Sequence, residues 1–364
     1  MKQSIQKPIV VMAGGTGGHV FPALAVAEYL RERGENIVWL GTRGGIEARV
    51  VPGAEFAIEW LGVQGLRGKG LTTLLLAPFR LLRACWQAMK VLRRLQPKAV
   101  LGMGGFVSGP GGLVAWALRI PLFLHEQNAV IGLTNRLLSR FSRRNYFAFP
   151  EAIKATPRSE CIGNPVRAEL IAMDDPATRL ESRMGAPMQL LVIGGSLGAV
   201  ALNRFLPLAI ACLDHDRRPR VWHQCGEKHL QQCRQNYREA GVEADVVAFI
   251  DEVRGAYAWA DLVVCRAGAL TIAELSVVGL AALLIPFPHA VDNHQYFNAR
   301  FLERQGAAQI LPESQLSGES LALKLQFFQQ NRELLVDMAT RARAQARADA
   351  TERLAEGILS GVAQ

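Results

Sequence analysis

The sequence contains one pattern twice: an apolar run of strand length, a glycine-rich loop and a run of helix-like composition. The first copy joins Pro8–Ala13, Gly14–His19 and Val20–Leu30, and the second joins Gln189–Ile193 to Gly194–Ala199. Glycines let the backbone turn sharply and let another molecule approach its N–H groups closely. The helix N-terminus that follows such a loop favours anionic or sugar-like ligands. Two loops, each opening about half of the chain, predict two domains.

The composition is that of a folded protein from a reducing compartment. Of the 364 residues, 50% are hydrophobic and 20% are charged, which argues against disorder and allows two cores. The six cysteines are scattered without a CxxC pair, so we expect no disulfide framework and no zinc site. The glycine loop interrupts the first apolar run, so we expect no signal peptide. No apolar run approaches the roughly 18 residues that would span a bilayer.

The charge is distributed unevenly. Residues 1–163 hold 21 Lys and Arg against 9 Asp and Glu, a net charge of +12, whereas residues 164–364 hold 20 against 23. No acidic residue occurs between Glu59 and Glu126. Such a basic excess is compatible with nucleic acid, anionic lipid or a phosphorylated substrate. We expect no nucleic acid, because basic and aromatic residues are not interleaved on a recognisable nucleic-acid-binding module.

Strand-like and helix-like segments alternate throughout, which predicts an α/β fold with parallel sheets flanked by helices. The predicted strands are 8–13, 36–40, 99–103, 121–124 and 145–148, then 189–193, 219–222, 245–249, 261–265 and 281–285. Glycine and Asn-Pro punctuate the chain around residues 161–167, which favours a domain boundary there. The predicted domains are 1–163 and 164–340, followed by a helical segment, 341–364, that packs back on the first domain.

Residues 71–95 combine an apolar stripe with a basic one. Leucines, Phe79, Trp86 and Met89 recur at roughly helical spacing, and Arg80, Arg83, Lys90 and Arg94 run beside them. A basic amphipathic helix of this kind suits the interface of an anionic membrane. It is equally compatible with a helix that buries its apolar face in a core and exposes its charged face to solvent. Both interpretations remain open at this point.

The first glycine loop does not fit a dinucleotide-binding fold. That fold needs GxGxxG and a carboxylate near the end of the second strand, but residues 38–43 contain none, and no Gly-Lys-Ser/Thr follows for a Walker A loop. A second glycine-rich segment, 102–112, also follows a predicted strand. Two adjoining loops lined by amides could hold a diphosphate without a metal; the alternative is tight turns that need glycine. The residues proposed for this role are Gly14, Gly15, Gly104, Gly105 and Ser108.

Two histidines follow strands in the first half. His19 is the better candidate for a general base, because neutral imidazole accepts protons near pH 7; the alternative is a histidine bonded to the backbone at a helix start. His125, Glu126 and Asn128 follow the predicted strand 121–124, where side chains project from the sheet edge. Glu126 is the next candidate for the base, and a solvated loop is the alternative for this segment.

The second half carries polar groups after two more strands. Thr271 and Glu274 follow 261–265 at the spacing of a capping box, in which each side chain reaches a backbone amide. Alternatively, the Glu274 carboxylate accepts hydrogen bonds from both hydroxyls of a ribose. The run from His289 to Gln295 suits sugar hydroxyls. We expect no metal there because HxxxH spacing is missing, and we interpret Asp214–Asp216 as a solvated loop.

Together these stretches resemble the MurG family of bacterial UDP-N-acetylglucosamine:lipid I glycosyltransferases. The matching segments cover most of the chain in order: 14–27, 104–112, 125–136, 163–167, 194–199, 249–253, 265–275 and 292–299. The resemblance implies the GT-B fold, in which two Rossmann-like domains face each other across a cleft. It also implies that the donor binds mainly to the C-terminal domain, that the acceptor binds to the N-terminal domain, and that no cofactor is needed.

The resemblance assigns roles residue by residue. Thr16, Gly17 and Gly18 would line the cleft near the donor, and Asn128 would reach its N-acetylglucosamine. The other donor contacts implied are to the diphosphate (Arg167, Ser196), the uracil (backbone of Ile250), the sugar and phosphates at a helix start (Ala269, Leu270, Thr271, with Ile272 and Ala273), the ribose (Glu274), and again the sugar (Gln295, with His294 beside it). Some members have glutamine at the position of His294.

The implied reaction is transfer of N-acetylglucosamine, with inversion, to the 4-hydroxyl of N-acetylmuramic acid in lipid I, giving lipid II and UDP. The implied partners are UDP-N-acetylglucosamine, lipid I, an anionic membrane surface near residues 71–95 and a cell-wall synthesis complex, at the cytoplasmic face of the inner membrane. Alternatives are another GT-B transferase with a lipid acceptor, a UDP-N-acetylglucosamine epimerase, or a basic membrane-surface protein without catalysis.

Overall fold

A computed structural model describes residues 6–62, 77–152, 156–195 and 197–363. They form two compact units, one up to Arg167 together with the residues from Ala348 onward, and one from Ala168 to Arg347. Each unit contains a parallel sheet flanked by helices. The predicted α/β class with two Rossmann-like domains is confirmed.

The first unit is built on a seven-stranded parallel sheet with strand order β3-β2-β1-β4-β5-β6-β7. Helices cover both faces, so a central strand such as β1 is buried along its whole length and is apolar throughout rather than alternating. The strands are β1 (Ile9–Met12), β2 (Ile37–Gly41), β3 (Ala57–Trp60), β4 (Ala99–Gly102), β5 (Leu122–Glu126), β6 (Arg144–Phe147) and β7 (Ser159–Cys161).

The helices of the first unit follow these strands, and the last one comes from the end of the chain. Leu354, Ala355 and Ile358 of that last helix are fully buried in the same apolar cluster as β1 and the first helix. The helices are α1 (Gly17–Glu32), α2 (Glu47–Gly53), α3 (Ala77–Leu95), α4 (Ser108–Ala117), α5 (Leu133–Leu138) and, after the second unit, α15 (Ala350–Ala363).

The second unit repeats the arrangement with a six-stranded parallel sheet of order β10-β9-β8-β11-β12-β13. Its strands are β8 (Gln189–Ile193), β9 (Arg220–Gln224), β10 (Asp245–Val247), β11 (Leu262–Cys265), β12 (Ala281–Leu284) and β13 (Ala308–Ile310). Its helices are α6 (Ala168–Ile171), α7 (Pro176–Glu181), α8 (Val200–Ala211), α9 (Leu230–Glu239), α10 (Val253–Trp259), α11 (Ala269–Val278), α12 (His294–Glu303), α13 (Gly318–Gln330) and α14 (Arg332–Ala344).

The strand order places the glycine loops. In the first sheet the order reverses between β1 and β4, and in the second it reverses between β8 and β11. At such a reversal the loops leave adjacent strand ends toward opposite faces of the sheet and open a crevice for ligands. The loops after β1 and β4 therefore meet in one unit, and the loops after β8 and β11 meet in the other.

The structure differs from the sequence expectation at several strands. β3, β7 and β13 were not predicted; they are short edge strands with partly exposed residues, so their apolar signal is weak. β5 extends to Glu126, so His125 and Glu126 lie within the strand rather than after it. Residues 71–76 of the predicted amphipathic segment, and Ser196, lie outside the described residues.

Candidate functional site

The two glycine loops of the first unit lie against each other. Gly104 and Gly105 adopt the left-handed backbone conformation, with φ of 98° and 81°. A Cβ on Gly105 would overlap the carbonyl of Gly14, and the backbone N–H of Met103 donates to the carbonyl of Met12. The close approach of the two backbones therefore requires glycine, and it joins the loops into one surface at the end of β1 and β4.

A carboxylate that the sequence reasoning overlooked shapes the first loop. Glu47, at the start of α2, is fully buried and accepts hydrogen bonds from the backbone N–H of Gly15 at 2.9 Å and from both the N–H and the hydroxyl of Thr42. It lies six residues past the end of β2, beyond residues 38–43, where a dinucleotide-binding fold carries its ribose-binding acid. Both of its oxygens are occupied within the protein, so it supports the loop instead of holding a ribose.

Ser108 does not fit the diphosphate contact expected from the sequence. Its side chain is fully buried, and its hydroxyl donates to the carbonyl of Gly104 at 2.7 Å, with the carbonyl of Met12 at 3.2 Å. The hydroxyl has one proton, and that proton is already used within the loop. In the described structure Ser108 therefore ties the second glycine loop to β1.

His19 lies in the first turn of α1, directly after the first loop. Thr16 is the N-cap residue of the helix, and its hydroxyl lies 3.3 Å from Nδ1 of His19 without capping the helix itself. If Nδ1 carries the proton and donates it to Thr16, Nε2 is left as the basic nitrogen. Gly17 and Gly18 lie between Thr16 and His19, and a Cβ on Gly17 would press on the ring of Phe21.

Glu126 is engaged in a dense set of hydrogen bonds. Its carboxylate is 4% exposed and accepts from the backbone and side-chain nitrogens of Asn128, from the N–H of Gly132 and from the side-chain amide of Asn135. This arrangement uses both oxygens and orders the segment after β5. These hydrogen bonds favour a role for Glu126 in holding Asn128 in place over a role as the base that accepts a proton from a substrate.

His125 is buried beside it and ties β5 to the end of the first unit. Its Nε2 lies 2.9 Å from the carbonyl of Gly163, and burial lowers the pKa of His125 to about 4, so the ring is neutral near pH 7. Arg167, at the end of the same segment, stacks its guanidinium over the ring of Phe21 at 5.5 Å. The first unit therefore brings the loops 14–19, 103–108 and 125–128 to one edge of its sheet.

The second unit builds its glycine loop with a different support. Gly195 and Gly198 have φ of 83° and 77°, and a Cβ on Gly198 would overlap the carbonyl of Cys225. The side-chain amide of Gln224, at the end of β9, accepts from the N–H of Gly195 and donates to its carbonyl, both at 3.1 Å. Gln224 was also missed from the sequence, because its contact is with a residue 29 positions away.

The helix after β11 begins without a capping box. Gly268 is the N-cap of α11, and no side chain caps the helix there. Thr271 and Glu274 therefore do not form the capping box that was the alternative to a ligand-binding role. Ala269, Leu270 and Thr271 form the first turn, where backbone N–H groups point out of the helix. The N–H of Ile272 already donates to the carbonyl of Gly268, and its side chain is buried, so Ile272 and the following Ala273 offer no backbone donor there.

Glu274 is a buried carboxylate held by a tyrosine. It is 6% exposed, and its Oε2 accepts a hydrogen bond from the hydroxyl of Tyr257 at 2.9 Å. Burial, with a smaller contribution from the nearby Glu274 charge, raises the pKa of Cys265 to about 12, so this thiol stays protonated. A tyrosine that fixes one oxygen of a carboxylate orients the whole group, as a ligand-binding acid requires.

The remaining donor candidates lie on loops and helix starts of the same unit. The backbone of Ile250 forms no hydrogen bond with another described residue. Nδ1 of His294 lies 2.7 Å from the carbonyl of Val291, which leaves Nε2 for a ligand, and Oε1 of Gln295 accepts from the N–H of Phe287. Asp292 and Asn293 both adopt the left-handed conformation, which sets the turn into α12.

Among the described residues, no group of three or more His, Cys, Asp or Glu side chains is arranged to hold a metal ion. The Asp214–Asp216 segment is exposed, with His215 and Asp216 almost fully accessible to solvent. It precedes β9, at the opposite edge of the sheet from the glycine loop.

Family models match both halves of the chain. The glycosyltransferase family 28 N-terminal domain matches residues 9–147, and the glycosyltransferase family 28 C-terminal domain matches residues 189–354. Two curated relatives are named UDP-N-acetylglucosamine--N-acetylmuramyl-(pentapeptide) pyrophosphoryl-undecaprenol N-acetylglucosamine transferase. The one from Nitrosococcus oceani is 52% identical over 96% of this chain and 98% of its own length. The one from Alkalilimnicola ehrlichii is 54% identical over 96% and 97%.

Two solved structures are similar to the chain over nearly its whole length. The crystal structure of Acinetobacter baumannii MurG matches with a TM-score of 0.83 and 39% identity, over 97% of this chain and 99% of that one. A UDP-GlcNAc 2-epimerase from Neisseria meningitidis matches with a TM-score of 0.65 over 97% and 100%, but at 12% identity. That second likeness concerns the fold alone.

Proposed function

The chain belongs to the MurG family within glycosyltransferase family 28, and from this premise we propose how its residues carry out the family's reaction. It is a hexosyltransferase that moves N-acetylglucosamine from UDP-N-acetylglucosamine to lipid I in peptidoglycan synthesis. The observation that carries this function is the identity of about half the residues, continuous through both units. The matched segment covers 96% of this chain in both relatives.

The donor is held by the second unit. The first-turn amides of α11 at Leu270 and Thr271 bind the diphosphate, where fixed N–H donors stabilise the charge that develops as UDP departs. The family resemblance assigns Ser196 to the same group. The Tyr257-oriented carboxylate of Glu274 accepts hydrogen bonds from the ribose hydroxyls. The unbonded backbone of Ile250 offers a donor and an acceptor to the uracil edge.

The acceptor is held by the first unit, with His19 as the general base. The Thr16 hydroxyl lies beside Nδ1 of His19, and Nε2 is the nitrogen that takes the proton of the attacking 4-hydroxyl. The hydroxyl oxygen then forms the new bond to the anomeric carbon as the bond to the diphosphate breaks, with inversion. The joined loops around Gly14 and Gly105 offer backbone amides to the diphosphate of the lipid, except that of Gly15, which already donates to Glu47. Glu126 holds Asn128 in place.

The first unit also carries a surface suited to a membrane. In α3, small or apolar side chains at Ala84, Ala88 and Leu92 are buried against the core, whereas Phe79, Leu82 and Trp86 are more than half exposed on another face. A helix that only packs against the core explains the buried side chains. It does not explain why the second set of apolar side chains is exposed. Exposed apolar side chains continue across the neighbouring helices at Leu113, Trp116, Leu133 and Leu137.

Exposed basic side chains flank this apolar face. Arg80, Arg83, Arg93 and Lys90 are exposed on α3, and Lys90 stacks on Trp86 at 3.7 Å. Apolar side chains with a basic border bind anionic bilayers from one side. No helix in the described residues is long and apolar enough to cross a membrane. The apolar face and its basic border support our proposal that the protein binds the cytoplasmic surface of the inner membrane.

The decisive experiment measures UDP release and the lipid product with purified protein, UDP-N-acetylglucosamine and lipid I in vesicles. We expect UDP and lipid II in equal amounts, and the absence of UDP would refute the transferase assignment. Incubation with UDP-N-acetylglucosamine alone separates an epimerase, which would convert the sugar without a lipid acceptor. A different lipid-linked acceptor sugar in place of lipid I tests the related transferases.

A further inference from the structure

Gln127 is a buried side chain with an unused carbonyl oxygen. It directly follows β5 and is 1% exposed, yet its Oε1 has no hydrogen-bond partner among the described residues. A buried amide oxygen without a partner is unfavourable, and such groups in native structures call for an explanation. The roles assigned above for the first unit make no use of this residue.

The orientation of the Gln127 amide is fixed by its neighbours. Its Nε2 donates to Nδ1 of His125 at 3.1 Å and to the carbonyl of His125 at 3.3 Å. The Nε2 of His125 faces the carbonyl of Gly163 and must carry the proton of the neutral ring, so Nδ1 can only accept. A flipped amide would set two acceptors against each other. Oε1 therefore points away from His125.

The oxygen and the ring of His19 both lie close to Gly104. A Cβ placed on Gly104 would lie 2.9 Å from Nε2 of His19, 2.6 Å from its Cδ2 and 3.5 Å from Oε1 of Gln127. These groups crowd the position that a side chain at 104 would occupy, so only glycine fits there. The proposed base and an orphaned hydrogen-bond acceptor thus both lie beside Gly104 at the end of the sheet.

We propose that Gln127 is a specificity-determining residue for the acceptor sugar: its Oε1 accepts a hydrogen bond from the 6-hydroxyl while Nε2 of His19 takes the proton of the 4-hydroxyl. This inference rests on the proposed function. On N-acetylmuramic acid the 3-oxygen is an ether and has no proton to donate. The hydroxymethyl group on the other side of the reacting carbon is the neighbouring donor that fits a lone acceptor.

The test compares lipid I with its 6-deoxy analogue, in the wild-type protein and in Gln127→Met. We expect the wild-type kcat/KM to be about tenfold lower for the 6-deoxy acceptor, the effect of one hydrogen bond to a buried polar group. Gln127→Met should lose about as much on lipid I and show no further loss on the analogue. The KM for UDP-N-acetylglucosamine should not change, and Gln232→Met, on an exposed face of α9, should behave as wild type.

Two results would overturn the inference: equal use of both acceptors by the wild-type protein, or undiminished discrimination by Gln127→Met. A purely structural role would lower activity on both acceptors and keep their ratio. Should Gln127→Met fail to fold, the wild-type ratio still decides. If the wild-type protein releases no UDP even with lipid I, the proposed function itself is wrong, which is a different outcome from a missing preference between acceptors.

Discussion

Oε2 of Glu47 lies 2.9 Å from the backbone nitrogen of Gly15 and accepts its hydrogen bond across 32 positions of sequence. The same carboxylate fills the space beside Gly14 and Gly45, where a Cβ would collide with it. The loop that leads into His19 is thus shaped by a buried charge on the neighbouring helix. The arrangement makes Glu47 a positioning residue for the proposed base.

Glu47→Gln should damage both stability and turnover. The variant places an NH₂ group against backbone N–H donors, so we expect the free energy of unfolding to fall by about 1–3 kcal/mol. Displacement of His19 should lower kcat by roughly tenfold to a hundredfold. Urea denaturation and UDP release measure the two effects, with Glu32→Gln on an exposed position of α1 as the control. Wild-type kcat in a folded Glu47→Gln protein would contradict the positioning role.

His19→Gln should lower kcat by about 10²–10⁴-fold, the usual contribution of a positioned general base. Glutamine keeps polarity but cannot take up a proton near pH 7, so binding of UDP-N-acetylglucosamine should be nearly preserved. The measurement is UDP release from lipid I in vesicles at saturating donor. The exposed His215→Gln is the control. Near-full turnover by His19→Gln would show that another group, or a relayed water, is the base.

Glu274→Gln should raise the KM for UDP-N-acetylglucosamine by about tenfold or more, because hydrogen bonds to a charged acceptor are stronger than those to a neutral one. Tyr257→Phe, which removes the hydrogen bond to Oε2, should raise this KM by a smaller factor with kcat unchanged. A donor lacking the 2′-hydroxyl serves as the second substrate. If Glu274→Gln discriminates against that donor as strongly as wild type does, Glu274 does not bind the ribose.

The buried His223 should make the second unit sensitive to acid. Burial lowers the pKa of His223 to about 3, below its ordinary value of 6.5, and the hydroxyl of Tyr237 lies 2.9 Å from its Nδ1. Between these values the unfolded chain binds a proton that the folded protein excludes. The contribution of His223 to the free energy of unfolding is therefore fully present above pH 6.5. It is lost as the pH falls from 6.5 toward 3, by roughly 1.4 kcal/mol per pH unit. Urea denaturation at several pH values should show a shallower pH dependence in His223→Leu; identical slopes would contradict the assignment.

The apolar face of α3 should control membrane binding without affecting the fold. Phe79→Ser together with Trp86→Ser removes two side chains that are 70% and 57% exposed. We expect at least a tenfold weaker association with vesicles containing anionic lipid, since about 0.8 kcal/mol is lost for each CH₂-sized group withdrawn from the bilayer. Unfolding should be unchanged. Leu323→Ser, at a 67% exposed position of the second unit, is the control, and equal binding by both variants would reject this surface.

The sequence was sufficient for the fold class and for the glycine loops, because both are local signals. A buried parallel strand such as β1 is a continuous apolar run, and the turn after it requires glycine at fixed positions. The edge strands β3, β7 and β13 were not predicted, because half-exposed strands lack a continuous apolar run. Their existence depends on a neighbouring strand that the local sequence does not specify.

The supporting side chains could not be predicted in the same way. Glu47 and Gln224 act on loops 32 and 29 residues away, and nothing in their own surroundings in the sequence marks them. For Ser108 and Glu126 the sequence predicted a ligand contact that the structure does not support, because polar residues beside a glycine loop or at a strand end are typical ligand contacts. Only the three-dimensional structure shows that their donors and oxygens are already used within the protein.

Helix α15 has a consequence for how the chain acquires its structure during synthesis. Leu354, Ala355 and Ile358 complete the apolar cluster that contains β1, although nearly the whole chain separates them from that strand. A ribosome therefore releases β1 long before the residues that cover it. The unit made first cannot finish its core until the last helix has emerged, and until then its apolar surface must be shielded from other nascent chains.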